Sequence, residues 1–437
     1  MRVQADCAAI PPAVVTPKRR IFWFWRIDAK PVEQQQDNPP VPARPKRPKI
    51  AFFIHRISGR AGGAERVLIE AASEMKRRGF SVDIVTYEDQ SPKLFFPLED
   101  GINLVNLDDF DARPRLDDEG PEVKRKRVSP GSVYQWLVDR RPLARSLRDH
   151  VKRSGIDVLI PFLPPAMATA AVASFGMRTP LIASTHNDPR RDFSRKKWSR
   201  DAVDVWVRKR ALTRMTSILV LLPEYRKWYP PKLRSRLRVV GNPVSPVPTE
   251  SLTATERKKV IISVGRLTDV KRHDLLLKVW ADLVDEFPDW RVRIYGLGPE
   301  RPELDKRIER LGLQRVKLVG VTKRIQNKYL SASILCHPSK YEGFPLVVTE
   351  ALAAGLPVVG FKDCSGLNAL VEDGVNGLLV SKKNRRKSLA DGLRRLMRDE
   401  ELRNRMSATA PATMAPYAPK IVYDQWEAVI NEAVGRH

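Results

Sequence analysis

From Lys49 onward, short apolar runs alternate with amphipathic stretches, and polar or glycine-bearing loops separate them. KIAFFIHRI (49–57) is continuous enough in apolar residues for a strand covered on both faces. SGRAGG follows as a loop, and Leu68, Ala71, Ala72 and Met75 then recur on one face of a helix that Gly79 ends. FSVDIVTY (80–87) is the next strand, which makes a βαβ unit. INLVNL (102–107), DVLIPF (157–162), PLIAST (180–185) and SILVLL (217–222) continue the rhythm and predict a doubly wound sheet ending near Val240. GNPVSPVPTESLTATE (241–256), rich in Pro, Ser and Thr, breaks it as a linker. VIISVG, WRVRIYG, VKLVG, ILCHP and PVVG then read as strands of a second sheet, with Leu276, Val279, Trp280, Leu283, Val284 and Phe287 as a helical stripe. The expected fold class is α/β, two Rossmann-like doubly wound domains facing across a cleft. The expected divisions are a tail at 1–48, domains at 49–243 and 258–411, a linker at 244–257 and a final segment at 412–437. In that segment Trp426, Val429 and Ile430 need a surface to cover.

Composition changes this picture in two places. From Val158 to Met177 there is no charge, a length that suits a bilayer. Pro161, Pro164 and Pro165 interrupt it, so DVLIPF reads as a buried strand, the prolines as a loop and the alanines as a short helix. The other place is the start. Residues 1–48 hold nine prolines and little periodicity, the signature of a disordered tail. Within it KRRIFWFWR (18–26) sets cations beside aromatics, which either anchors the tail at an anionic bilayer interface or packs it on its own domain. The first apolar stretch, broken by Pro11 and Pro12, does not read as a signal peptide.

Lys and Arg number 78 against 51 Asp and Glu, a net charge of +27, which implies anionic company: phosphorylated substrates, an acidic membrane or nucleic acid. Cys7, Cys336 and Cys364 form neither a zinc nor a disulfide pattern, and a reducing cytoplasm fits them.

Parallel sheets bind ligands where strand ends feed helix N-termini. Gly62 and Gly63 lie at one such turn, as a close-approach loop for an anion or as a plain tight turn. The spacing is not GxGxxG, so a nicotinamide cofactor is not favoured. VGRLTDVK (264–271) places Arg266 and Lys271 in one loop after a strand, and two cations there suit a diphosphate. In YEGFPLVVTE (341–350), Gly343 allows close backbone approach and Pro345 starts a helix. Glu342 and Glu350 can each accept a pair of hydroxyl hydrogen bonds, or be one loop and one solvated helix glutamate.

GGAERV, THND, VVGNPV, VGRLTDVKRHDLLLKVW, YGLGPE, HPSKYEGFPLVVTEALAAGLPVV and VEDGVNGLLV occur in that order over roughly residues 49–437. With these motifs the chain resembles the retaining GT-B glycosyltransferases of family 4, the glycosyl transferases group 1. The resemblance implies transfer of a sugar from a nucleotide-diphosphate sugar to an acceptor hydroxyl, with no cofactor and no metal. It implies Glu350 on the nucleotide ribose, Glu342 beside the sugar, and Arg266 and Lys271 on the diphosphate. Gly62, Gly63, Gly343 and the amides near Phe344, Leu346 and Val347 would touch the donor. His186, of THND, stands where the family often has a histidine close to the sugar, or is a strand-end histidine held by backbone. The last helix would cross back over the first domain.

Residues 190–238 carry 16 Lys and Arg against four Asp and Glu, with Trp198, Trp206, Trp228 and Tyr229 interleaved. On the acceptor side of such an enzyme this stretch fits docking on an anionic membrane bearing a lipid-linked acceptor such as a polyprenyl-diphosphate glycan, or it is a set of solvated helix faces. Three rivals remain open. A basic nucleic-acid-binding protein rests on charge alone, and no binding module supports specific nucleic-acid recognition. A metal-dependent transferase would use Asp109 and Asp111, and a non-hydrolysing sugar-nucleotide epimerase would turn over donor without acceptor.

Overall fold

The computed structural model describes residues 47–59, 62–88, 92–107, 128–194, 201–248 and 256–435. KRRIFWFWR, Asp109, Asp111, Trp198 and half of the proposed linker lie outside them.

The first half contains β1 (Lys49–Phe53), α1 (Gly63–Arg77), β2 (Ser81–Thr86), β3 (Asn103–Asn106), α2 (Pro130–Arg153) and β4 (Val158–Pro161). It continues through α3 (Leu163–Ala173), β5 (Ile182–Ser184), α4 (Pro189–Asp192), α5 (Ala202–Ala211), β6 (Ser217–Val220) and β7 (Leu237–Val239). The strands run in the order β3-β2-β1-β4 and β5-β6-β7, all pairings parallel, and bridges at Leu159–Leu181 and Phe162–Ser184 join the two groups. The second half contains β8 (Val260–Val264), α6 (His273–Leu283), β9 (Arg291–Tyr295), α7 (Arg301–Arg310), β10 (Val316–Gly320), α8 (Ile325–Ser331) and β11 (Ile334–His337). It ends with α9 (Leu346–Ala353), β12 (Val358–Phe361), β13 (Gly377–Val380), α10 (Arg385–Arg398), α11 (Glu400–Thr413) and α12 (Pro419–Gly435). Its sheet is β10-β9-β8-β11-β12-β13, again all parallel. In both sheets the order reverses beside the first strand, at β1/β4 and at β8/β11, and ligands of such sheets bind outside the carboxyl ends of those strands.

The apolar runs become strands because both faces are covered: Ile50 to Phe53 and Ile261 to Ile262 are essentially inaccessible. Four features depart from the pattern reading. β7 is only three residues long, and β13 opens on Gly377, whose missing Cβ would lie 2.2 Å from the Val358 carbonyl oxygen. Helix α2 spans a segment that the pattern leaves unassigned; Pro142 sits inside it, and arginines surround its buried Trp136, Leu143, Leu147 and Val151. Pro164 and Pro165 lie in the first turn of α3 and not in a loop, since a first helical turn has no amide bond for proline to break.

Helix α12 covers the first sheet. Val422, Trp426, Val429 and Ile430 are buried with residues of β1 and β4, and the Trp426 ring stacks on Phe162 with centroids 6.1 Å apart. Among the described residues no helix is long and apolar enough to cross a membrane.

Candidate active site at the two switch points

Glu342 lies in the loop that follows β11, near the carboxyl end of β8. Its Oε1 accepts from Lys271 Nζ at 2.6 Å and from His337 Nε2 at 2.9 Å. Lys271 comes from the loop after β8, and His337 is the last residue of β11, so the reversal of strand order brings both donors to one carboxylate. Burial by itself pushes the Glu342 pKa up; the Lys271 ammonium and the His337 hydrogen bond outweigh it and hold the carboxyl well below the usual range. Burial pulls His337 down, against the pull of Glu342. A neutral ring donating through Nε2 to an ionised carboxylate satisfies both groups. Arg266, in the same loop as Lys271, is exposed.

Glu350 sits eight residues later on α9, with a different set of partners. Its Oε1 accepts from Arg66 Nη1 on α1, and its Oε2 from the Tyr329 hydroxyl at 3.2 Å. Arg66 also donates to Glu70 at 2.7 Å. Tyr329 is 1% exposed, and burial keeps its phenol protonated, a donor. Thus a residue of the first half and one of the second share this carboxylate.

The N-termini of α1 and α9 approach each other: a Cβ on Gly63 would lie 3.5 Å from Leu346 Cδ1. Gly62 is the N-cap of α1, and the Glu65 carboxylate occupies the space that a Cβ there would need. Leu346 and Val347 open α9, where amides have no intrahelical partner, and Phe344 is buried edge-on to Tyr417 at 5.0 Å. Gly343 meets the first half most closely. A Cβ there would stand 2.6 Å from the His186 carbonyl oxygen and from Asn187 Cα, so only glycine fits.

The His186 side chain lies further in. Its ring stacks on Phe162 at 4.7 Å, its Nε2 is 2.8 Å from Ser184 Oγ, and burial lowers its pKa to about 3, leaving it neutral. Lys271 meets Glu342, Gly343 meets the His186 backbone, and Gly63 meets Leu346; Arg266 faces solvent. Pattern reading missed His337, Arg66, Tyr329 and three further residues around the Glu342 backbone: Asp188, Tyr225 and Ser365. His337, Arg66 and Asp188 stand inside quoted motifs, but nothing in a linear string says which carboxylate they reach.

Two parallel sheets, each with its ligand crevice opening toward the other, define the GT-B class of glycosyltransferases. Residues 62–243 match the glycosyl transferase 4-like domain and residues 249–413 the glycosyl transferases group 1 family. The chain belongs to this group of glycosyltransferases. It is 29% identical over 384 residues to an uncharacterized glycosyltransferase of Haemophilus influenzae, covering 87% of this chain and 99% of that one. It is 25% identical, over 88% of this chain and 98% of the other, to a Campylobacter jejuni alpha-1,4-N-acetyl-D-galactosaminyltransferase whose named acceptor is a diNAcBac-PP-undecaprenol glycan. The Anabaena HepE structure in complex with UDP superimposes with a TM-score of 0.65 over 88% of this chain and all of that one. At 20% identity that likeness speaks to the fold.

Proposed function

We propose that the cleft transfers a sugar from a nucleotide-diphosphate sugar to an acceptor hydroxyl, with retention at the anomeric carbon. In this reading Glu350 binds the ribose, Glu342 lies beside the sugar, and Arg266, Lys271 and the first-turn amides of α9 take the diphosphate. Gly62, Gly63 and Gly343 let backbone come close to the donor, and His186 flanks the sugar. Cleavage of the C1–O bond builds charge on the departing diphosphate. Fixed cations and helix N-termini oppose that charge without reorganising. The observation that carries the proposal is Lys271 on Glu342 at 2.6 Å, a cation and an ionised acid side by side at the β8/β11 switch point. An ammonium has three donor hydrogens, so Lys271 can keep Glu342 and still reach a phosphoryl oxygen. The acceptor hydroxyl attacks from the leaving-group face, whose oxygen takes its proton, so no protein base is assigned. With the diphosphate charge carried by Arg266 and Lys271, no divalent cation is required, and transfer is expected to persist in EDTA.

We read the acceptor as a lipid-linked glycan at the cytoplasmic face of an anionic membrane. The polyprenyl-linked acceptor in the name of the Campylobacter relative supports this, as do exposed aromatics under cations. Arg210 lies over Trp206 at 5.6 Å, Arg190 and Lys227 over Trp228 at 5.0 and 5.8 Å, and Arg214 over Phe175 at 4.5 Å. Trp228 is 47% and Phe175 59% exposed. Amphipathic rings beside cations suit the headgroup layer. Binding to phosphatidylglycerol vesicles and its loss in a Trp206→Ser/Trp228→Ser variant test this; equal binding by both proteins ends it.

The central test is a panel of sugar nucleotides screened for protection against thermal unfolding, followed by transfer assays on the one that protects. Glu350→Gln is expected to lower transfer at least tenfold in a folded protein. Wild-type rates in that variant, or turnover of donor without any acceptor, refute the assignment.

A further inference from the structure

Glu342 is held at its backbone as well as at its carboxylate, and part of that hold comes from the opposite half. The Tyr225 hydroxyl donates to the Gly343 carbonyl at 2.7 Å and lies 3.1 Å from the Glu342 carbonyl. The Glu342 amide donates to the Ser365 carbonyl at 2.9 Å. Ser365 Oγ donates to Asp188 Oδ2 at 2.7 Å and lies 3.2 Å from the Glu342 carbonyl. Asp188, 1% exposed, caps α4 through the Arg190 amide and also takes the Arg190 guanidinium at 2.8 Å. Tyr225 is 2% exposed. Gly343 and Gly366 leave no slack: a Cβ on Gly366 would stand 2.7 Å from the Gly343 carbonyl oxygen.

We propose that Asp188 and Tyr225, acting with Ser365, are positioning residues that bring Glu342 into its working place only when the two halves meet. None of the three side chains reaches the Glu342 carboxylate; Tyr225 and Ser365 act on the peptide units that carry it, and Asp188 acts through Ser365. A buried phenol hydroxyl from the first half is costly to leave unpaired, and Asp188, which keeps Arg190, would lose its bond from Ser365. Separation of the halves therefore frees the Glu342 loop, and their approach seats it, so the sugar-side acid is assembled by closure. This rests on the reading of Glu342 as the sugar-side group, but its structural part does not.

Two measurements on the full chain test it. Hydrogen exchange of the 341–345 segment is expected to accelerate at least threefold in Tyr225→Phe and in Ser365→Ala, with the β8 segment unchanged. Equal exchange in the loop overturns the inference, whether or not the protein transfers sugar. In the transfer assay, Tyr225→Phe is expected to lower kcat about fivefold with donor KM within twofold. In a Glu342→Gln background the same substitution is expected to add nothing, because its effect runs through Glu342. Losses that multiply overturn the inference while leaving the proposed function intact; absence of transfer in the wild type removes that function and leaves the exchange result to decide. Asp188→Asn keeps an acceptor for Ser365 and is expected to exchange as wild type, in contrast to Asp188→Ala; two equal variants also count against it.

Discussion

Glu342 and Glu350 stand on one loop-helix unit, yet they are held in opposite ways. The Glu342 carboxylate takes both its partners, Lys271 and His337, from the second half. The Glu350 carboxylate takes Arg66 from the first half and Tyr329 from its own. So the charge and partners of the Glu342 side chain are set within one half, whereas the Glu350 carboxylate takes one of its two partners from the facing helix. For the backbone a cross-half hold is added, since Tyr225 reaches the Glu342 loop directly and Asp188 reaches Ser365, which touches it. The two acids thus depend on the facing half by different routes.

The largest effect is expected from Lys271→Met, which leaves Glu342 buried with only a neutral histidine. Transfer should fall at least tenfold and stability by about 2–3 kcal/mol, near the low end for a broken buried pair because a fifth of the lysine side chain stays in water. Chemical denaturation and the transfer assay read the two effects; wild-type stability would mean that the pair is not coupled as described. Next comes Arg257, whose guanidinium donates to the carbonyls of Tyr329, Leu330, Ala332, Ala354 and Gly355, the C-terminal ends of the helices that carry Tyr329 and Glu350. Burial lowers its pKa to about 10. Arg257→Met should cost about 2–3 kcal/mol by stranding those carbonyls, and should raise donor KM more than it lowers kcat.

Arg66→Ala tests the cross-half side of the comparison. Arg66 is about one-third exposed, so stability should change by under about 1 kcal/mol, while donor KM rises about fivefold as Glu350 loses the group that orients it. A fall in KM would instead show that Arg66 competes with the donor for that carboxylate. A last test is in pH. The folded-state pKa of Glu342 is depressed, so its contribution is present above its unfolded value of about 4.3 and is lost as pH falls below it. His186 is held neutral, at about 3, while the unfolded chain protonates near 6.5, so stability falls with pH between those values. His186→Gln should flatten that slope by up to about 1.4 kcal/mol per pH unit, read as unfolding midpoints at pH 6.5 and 4.5. An unchanged slope would place the ring in solvent.

Much of the cleft was readable from linear pattern. Apolar runs such as KIAFFIHRI and VIISVG became strands because a two-sided parallel sheet leaves no polar face to write into the sequence. LRV at β7 is too short, and GLLV at β13 starts on a glycine chosen for a close carbonyl, so neither announced itself. Lys271 and Glu342 lie in loops after strands, where ligands bind, and both are singled out as candidates on that ground. His337 escaped because it ends an apolar run, and Tyr329 and Tyr225 because a lone tyrosine in a polar stretch carries no signal until its partner is known.

The sequence by itself determined most of the strand-helix order, the parallel architecture and the loops that carry Glu342, Arg266 and Lys271, because periodicity and turn residues act over a few positions of chain. Which group meets which acid was decided by tertiary structure alone. Lys271 and Glu342 are 71 residues apart, Arg66 and Glu350 284, and Asp188 and Ser365 177. Those pairs are set by the reversal of strand order and by the meeting of the two halves. Those meetings, more than residue type, give each carboxylate its partners, and for Glu342 the partners, against the cost of burial, keep it ionised.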